Sequence, residues 1–195
     1  MKKVILMAAI MLSSVSAFAQ NAVGTISIQP KVGLNIADLT KLNDSDPRVG
    51  FAVGVEGEYQ VTDLFSITAG ALYSMQGAKG QDVISNTLVK ETMKLDYINI
   101  PILANVYVAK GLAVKLGIQP GFNVTAKAEA KAGGVKVEED IDINTFDFSI
   151  PVGISYDYKN VVLDARYNWG MTKVVDGADS KNSVFQITLG YKFAL

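Results

Sequence analysis

Strict alternation over residues 112–128 constrains the fold of this chain more than any other sequence feature. The even positions, from Leu112 to Ala128, are apolar, and the odd positions, which include Lys115, are small or polar. Alternation with period two is typical of a β-strand with two chemically different faces. Strands of globular proteins average about 5–6 residues, so a strand this long predicts a large apolar environment on one side.

The same alternation recurs in seven further segments, so we predict eight strands. Polar stretches at residues 38–48, 77–90, 131–139 and 172–182 are interpreted as long loops, and the other connections are short turns. Long loops follow strands 1, 3, 5 and 7, as expected if neighbouring antiparallel strands run up and down with all long loops at one end. The predicted strands are residues 26–36, 51–60, 65–76, 97–108, 112–128, 145–158, 161–169 and 185–193.

Residues 1–19 have the form of a secretory signal peptide. Lys2 and Lys3 precede an apolar run at residues 4–12, and an A-x-A cleavage site at residues 17–19 stands before Gln20. We therefore predict a signal peptide over 1–19 and one domain over 20–195. A transmembrane anchor is the alternative, but a bilayer-spanning helix needs about 20 apolar residues.

Composition limits the chemistry that this chain can perform. Without Lys2 and Lys3, 16 basic residues stand against 19 acidic ones, a net charge of −3 that does not indicate a nucleic-acid partner. The absence of Cys excludes disulfides, and the absence of His removes a common metal ligand and the base of outer-membrane acyltransferases and lipases. Unless another base substitutes for His, those mechanisms are excluded, and we predict no enzymatic activity and no cofactor.

Two acidic groups could in principle hold Ca²⁺ or Mg²⁺ through oxygen ligands. They are Asp44-Ser45-Asp46 and Glu138-Glu139-Asp140, and both fall in predicted loops. We interpret each as a solvated loop segment and predict no metal site.

Side-chain volume decides which face of the strands points outward. An eight-stranded barrel has an interior just wide enough for side chains to fill it, and the apolar face carries far more bulk than that. The opposite face is rich in Gly, Ser, Thr and Asn. An apolar exterior requires lipid, and a closed barrel pairs its backbone groups there. The sequence therefore predicts an all-β, eight-stranded antiparallel up-and-down transmembrane β-barrel.

Two sets of candidate residues follow from this orientation. We expect charges of both signs to form a paired network that plugs the lumen, with Arg166 bidentate to Glu56 or Glu58. Aromatic residues toward strand ends are typical of the girdles at the membrane surfaces. The predicted lumen charges are Lys31, Glu56, Glu58, Lys115, Asp147, Asp157, Asp164, Arg166 and Lys192, and the predicted interface aromatics are Tyr59, Tyr73, Tyr156, Tyr158, Tyr167, Trp169, Tyr191 and Phe193.

Several segments resemble the porin-family outer-membrane barrels of Bacteroidetes and, more distantly, the small OmpA/OmpX-type barrels. They are residues 31–35, 50–54, 72–78, 97–101, 165–170 and 190–193, of which those with Ile100-Pro101 and Arg166-Tyr167 are the more specific. The resemblance implies the bacterial outer membrane, with short turns in the periplasm and long loops outside. We expect as partners outer-membrane lipids and lipopolysaccharide, periplasmic chaperones and the barrel-assembly machinery, and we expect a monomer.

The function predicted from the sequence is a non-enzymatic membrane anchor with a plugged lumen that displays polar loops. One alternative is a small pore for ions or solutes, and another is an adhesin role for the loops. A third is a soluble periplasmic lipid-binding barrel of lipocalin type, with the apolar face inward. A solvated exterior would favour Lys and Glu over Gly, which argues against the lipocalin alternative.

Overall fold

The computed structural model describes residues 22–41, 45–84, 87–175 and 177–195. The predicted signal peptide lies outside these ranges and stays a prediction. Within them, no helix has the length and apolarity to cross a membrane. The strands are β1 (Ile26–Leu39), β2 (Ser45–Thr62), β3 (Phe65–Ile84), β4 (Thr87–Asn99), β5 (Ile102–Ala109), β6 (Leu112–Ala132), β7 (Val135–Asp140), β8 (Phe146–Tyr158), β9 (Val161–Gly170), β10 (Asn182–Tyr191) and β11 (Phe193–Ala194).

Antiparallel pairing closes these strands into a ring with eight positions. Each position of the ring pairs with the next, in the order β1, β2, β3, β4 with β5, β6, β8, β9 and β10, and the ring closes where β1 pairs with β10, for example at Val32 and Leu189. β4 and β5 share one position, because both lie between β3 and β6. β11 pairs with the start of β1. The predicted eight-stranded up-and-down barrel is confirmed.

A break in the fourth position separates β4 from β5 at Ile100 and Pro101, where the sequence predicted a continuous strand. Pro101 has no N–H to donate, so a ladder bond cannot form there. Neighbouring groups still pair across the break, since Ile100 N–H donates to Pro120 at 2.8 Å and Gly70 N–H donates to the Pro101 carbonyl at 3.1 Å.

Three of the four predicted long loops are largely strand, which corrects the sequence interpretation. β1 and β2 extend into residues 38–48, β3 and β4 occupy most of 77–90, and β6 and β7 form a hairpin across 131–139. Gly133 and Gly134 turn that hairpin with positive φ angles of 55° and 86°. Beyond the barrel wall neither face of these strands meets the hydrocarbon of the membrane, so the apolar alternation that marks the other strands is lost. The described part of the fourth loop, residues 171–175 and 177–181, carries no strand.

The extended strands form a sheet that projects beyond the ring at its long-loop end. We call it the projecting sheet: residues 78–84 of β3, 87–95 of β4, 125–132 of β6, and β7. β7 pairs with β6 alone among the described strands. The projecting sheet therefore continues one side of the barrel wall into solvent.

A bulge at Val124 changes which residues of β6 face outward. Asp96 pairs with Thr125 and Tyr97 with Asn123, which leaves Val124 without a partner position. Beyond it, Ala126 packs toward the barrel axis against the cluster of Leu95 and Tyr97. The sequence predicts Ala126 and Ala128 on the outward face of the strand, in a part that stands above the membrane, and the outward assignment is wrong because the bulge inverts the two faces.

Burial in this barrel is inverted relative to a soluble protein. Apolar residues such as Val53, Leu116 and Leu163 point outward and are more than half exposed, whereas Glu56 and Arg166 are 0% and 1% exposed. An apolar surface of this extent requires lipid around it. A lipocalin-type barrel needs the opposite orientation, so that alternative does not describe this structure.

Gly54 and Gly57, on the same strand, provide a test of the packing. A Cβ at Gly54 would lie 2.2 Å from the Ala71 carbonyl oxygen, whereas one at Gly57 would lie 3.8 Å from its nearest neighbour. We expect Gly54→Ala to lower the free energy of unfolding by about 1–3 kcal/mol, since the backbone of β3 must shift. The matched Gly57→Ala should leave it nearly unchanged. Both effects are measured by the fraction of protein that runs as the folded, heat-modifiable band after incubation at increasing urea concentration. Equal unfolding midpoints for the two variants would contradict this packing.

Candidate functional site

The most concentrated polar chemistry lies in the middle of the lumen, in a group that we call the central network. It consists of Lys31 on β1, Glu56 on β2, Lys115 on β6, and Asp164 and Arg166 on β9. Alternation sends all five side chains inward, and each residue is at most 3% exposed. Four strands around the ring therefore contribute to one buried ionic cluster.

Arg166 is the centre of this network. Its guanidinium donates to both Glu56 oxygens, at 2.9 and 3.3 Å, and to both Asp164 oxygens, at 2.7 Å each. The bidentate contact expected with Glu56 or Glu58 is made to Glu56. Such fork-shaped pairs fix geometry as well as charge, and the second carboxylate, Asp164, lies only two residues along the same strand.

Two lysines complete the central network. Lys31 Nζ lies 2.8 Å from Glu56 and 3.6 Å from Asp164, and Lys115 Nζ lies 2.7 Å from Asp164. Each carboxylate thus contacts at least two cations. At this level, contacts between side chains from different strands cross the lumen.

A second ionic group, the turn-side group, lies nearer the short turns. Lys192 Nζ contacts Asp157 at 2.5 Å and Glu58 at 3.0 Å, and the Tyr107 hydroxyl donates to Glu58 at 2.5 Å. Sequence reasoning omitted Tyr107 from the candidate residues. The available signal was its position on the inward face of its strand, beside Asn105.

Charge balances across the two groups together. Four cations (Lys31, Lys115, Arg166, Lys192) face four carboxylates (Glu56, Glu58, Asp157, Asp164). Burying an unpaired charge is costly, and a buried pair is tolerated only with good geometry and hydrogen bonds. The lumen meets both conditions at this level.

Glycine makes room for the charged side chains. Arg166 and Lys115 both lie opposite Gly153, Lys31 lies opposite Gly54, and Glu56 lies opposite Gly70. A Cβ on Gly153 would come within 2.7 Å of Arg166 Cβ, and one on Gly70 within 2.7 Å of Glu56 Cγ. Long charged residues and glycines are therefore paired across strands in this narrow interior.

Asp147 is the one predicted lumen charge that the structure places outside both ionic groups. Its carboxylate accepts hydrogen bonds from the Thr172 hydroxyl at 3.0 Å and the Asn182 amide at 3.1 Å. Thr172 lies near the start of residues 171–181 and Asn182 directly follows them, and Val174 in that segment packs against Leu39, Leu95 and Tyr97. We call this apolar cluster around Val174, at the long-loop end beside Asp147, the lid.

The eight predicted interface aromatics all lie on the outward face and are 37–62% exposed. The structure places them in two groups. Tyr59, Tyr156, Tyr158, Tyr191 and Phe193 lie near the short turns, and Tyr73, Tyr167 and Trp169 lie toward the long-loop end. Tyr73 donates to Asp96 at 2.7 Å.

The described residues contain no group of three or more Asp, Glu, His or Cys that could hold a metal. Asp44 of the first acidic segment lies outside them. Glu138 of the second instead contacts Lys136, Lys94 and Lys127, and these cations lower the pKa of its carboxyl to about 2. Lys131, Lys94 and Lys136 likewise hold the pKa of Glu129 well below its usual range. Both carboxylates therefore stay ionised until the pH falls far below 4.

The closed ring, apolar exterior and charged interior define an integral membrane β-barrel. The family described as "Outer membrane protein beta-barrel domain" matches residues 18–176, and the chain belongs to this family. Its location is therefore the bacterial outer membrane. No curated protein sequence matches the chain.

The chain is similar to several solved outer-membrane barrels. Neisserial surface protein A is 18% identical, with 86% of this chain and 97% of that chain covered and a TM-score of 0.51. Ail, the attachment invasion locus protein of Yersinia pestis, is 15% identical, with 88% and 99% covered and a TM-score of 0.47. OprG from Pseudomonas aeruginosa is 10% identical, with 88% and 96% covered and a TM-score of 0.41. At 18% identity, the similarity to Neisserial surface protein A shows a shared fold and nothing about function.

Asp164 offers a direct test of the central network. Asp164→Asn leaves three buried cations against Glu56, so we expect the free energy of unfolding to fall by about 3–5 kcal/mol. Asp179, in an exposed pair with Lys173 and Lys41, is the control, and Asp179→Asn should have little effect. Urea unfolding in lipid, followed through the single Trp169, measures both. Similar losses for the two variants would contradict the network's role in stability.

Proposed function

We propose that this protein is a non-enzymatic outer-membrane anchor whose lumen is plugged and whose long-loop end is displayed outside the cell. The observation that carries this proposal is the central network, in which Arg166 joins carboxylates on two strands while two lysines fill the remaining contacts. A charge-balanced, fully buried cluster of this kind holds the barrel walls together. It offers neither an unpaired base nor an unpaired nucleophile for catalysis.

The lid supports the same function. Val174 and its apolar neighbours close the mouth above the ionic groups, and backbone hydrogen bonds from Asn144 to Val174 at 2.8 Å and from Val174 to Ser180 at 2.9 Å hold it in place. A barrel with an ionic plug and an apolar lid has two barriers to solute passage. The projecting sheet is then the largest feature available to the outside.

We further propose the partners that this role requires. These are outer-membrane lipids and lipopolysaccharide around the wall, with periplasmic chaperones and the barrel-assembly machinery during insertion, and the barrel acts as a monomer. The outward aromatics, in two groups at opposite ends, would lie at the two membrane surfaces. On the segments with Ile100-Pro101 and Arg166-Tyr167, we assign the chain to the Bacteroidetes porin type.

A small pore is the second candidate function, favoured by polar atoms on both sides of the central network. Among the described residues, Gln29 Nε2 and Asn105 Oδ1 on the turn side and both amide atoms of Asn168 on the loop side are buried without a protein partner. Buried polar atoms of this kind ordinarily bind water. A hydrated lumen would become a path if the network could open.

Conductance in planar bilayers separates the two functions. For a plug, we expect wild-type protein to show no steady conductance and Arg166→Ala/Glu56→Ala to show some, because removing a neutral pair widens the lumen without changing its net charge. The lid is a second closure, so both proteins are also recorded in a Val174→Ser background. The protein in each recording should be heat-modifiable, which establishes that it has folded.

Lys41→Ala/Asp179→Ala is the matched control, since it removes an exposed pair of the same charges, 3.3 Å apart in the outer loops. It should behave as wild type. If the wild-type protein conducts and the double variant Arg166→Ala/Glu56→Ala does not, the result would support the pore and contradict the plug.

A further inference from the structure

The outer face of the projecting sheet carries four lysines that two glutamates gather together. Lys94 on β4, Lys127 and Lys131 on β6, and Lys136 on β7 form this lysine cluster. Glu129 contacts Lys94, Lys131 at 2.7 Å and Lys136 at 3.0 Å, and Glu138 contacts Lys94 at 3.2 Å, Lys127 at 3.2 Å and Lys136 at 3.0 Å. Each glutamate therefore bridges three ammonium groups on neighbouring strands.

The cluster has a surplus of positive charge. Four ammonium groups face two carboxylates, and Asp140, 88% exposed and 3.9 Å from Lys127, does not remove the excess. The lysine side chains remain 27–55% exposed, whereas the Glu129 side chain beneath them is 5% exposed. An ammonium carries three donors, so the cluster presents unused donors on its solvent side.

The position of the cluster follows from the barrel wall. Lys94 is on the same outward face of β4 as the lipid-facing Ile98, four residues further along, which is about 10 Å above it for a strand tilted as in such barrels. The bulge at Val124 turns Lys127 and Lys131 to that same side. Lys94 and Lys127, which pair with each other, thus stand above the apolar belt, and Lys131 and Lys136 lie four residues further out on the same face.

The two faces of the projecting sheet differ in chemistry. The inner face, which borders a cavity of about 490 Å³, carries Ala78, Met93, Ala128 and Val137 with the acidic Glu91 and Glu139. Lysines are concentrated on the side that continues the lipid-facing wall. General solubility does not require this asymmetry, because either face would serve it.

We propose that the lysine cluster binds the phosphate groups of lipopolysaccharide molecules that surround the barrel. Lysine binds phosphate as a point charge, and basic residues near an anionic lipid surface each add to the attraction. The pre-arranged ammonium groups meet the headgroup without first being ordered. This inference deepens the proposed function and rests on it, since it requires the projecting sheet to face the outer leaflet.

The test uses full-length protein folded in phosphatidylcholine nanodiscs and titrated with fluorescent lipopolysaccharide. Lys94→Gln/Lys136→Gln should weaken binding on the order of tenfold, and lipopolysaccharide stripped of its phosphates should bind wild type equally weakly. The matched control is Lys110→Gln/Lys159→Gln, which removes two exposed lysines at the short turns and should bind as wild type. Inorganic phosphate at millimolar concentration should not compete, and competition would overturn the assignment to lipid.

Glu138→Gln separates binding from hairpin structure, because it keeps all four lysines and raises the net charge. We expect binding at least as tight as in wild type, and a loss equal to that of the lysine double variant would overturn the proposal. A heat-modifiable band in phosphatidylcholine alone reports insertion. Failure to insert would contradict the proposed function, whereas insertion with lipopolysaccharide binding that is insensitive to the lysines would contradict only this inference.

Discussion

In the hydrocarbon of a membrane, each backbone N–H or C=O without a partner costs several kcal/mol, and only closed pairing of strands removes that cost for a β-sheet. The pairing of β1 with β10 closes this ring, and the other features depend on it. Eight strands leave a narrow interior, so bulky apolar side chains face lipid while glycines and polar residues fill the lumen. Charges inside so narrow a space must then pair with one another, as Arg166 does with Glu56 and Asp164.

Much of this architecture could be predicted from the sequence, because period-two alternation and side-chain volume are local properties. Two parts could not. Alanine is acceptable on either face, so Ala126 and Ala128 gave no sign of the bulge at Val124. Residues 77–90 and 131–139, which supply most of the projecting sheet, lack the alternation because neither face meets the hydrocarbon of the membrane, so the sequence predicts loops there.

In the candidate site, residue types were predictable and partners only in part. The inward charges follow from alternation, and Asp164 is a local partner of Arg166 on the same strand, but whether Glu56 or Glu58 meets Arg166 depends on strand register. Strand register also places Asp147 nearer the long-loop end, at the level of the lid. Its carboxylate there accepts hydrogen bonds from a hydroxyl and an amide and contacts neither ionic group. Tyr107 was missed because its strand has a mixed inward face on which an aromatic residue does not stand out.

The pairing of glycines with charged side chains also bears on how the barrel assembles. A slip of two residues between neighbouring strands keeps every side chain on its own face, so contact with lipid cannot detect it. In this lumen the same slip would move Arg166 from Gly153 to Pro151 or Ser155 and separate it from its carboxylates. The small and large residues of the interior therefore encode the correct alignment, and the charged lumen rejects misregistered barrels that the membrane itself would accept.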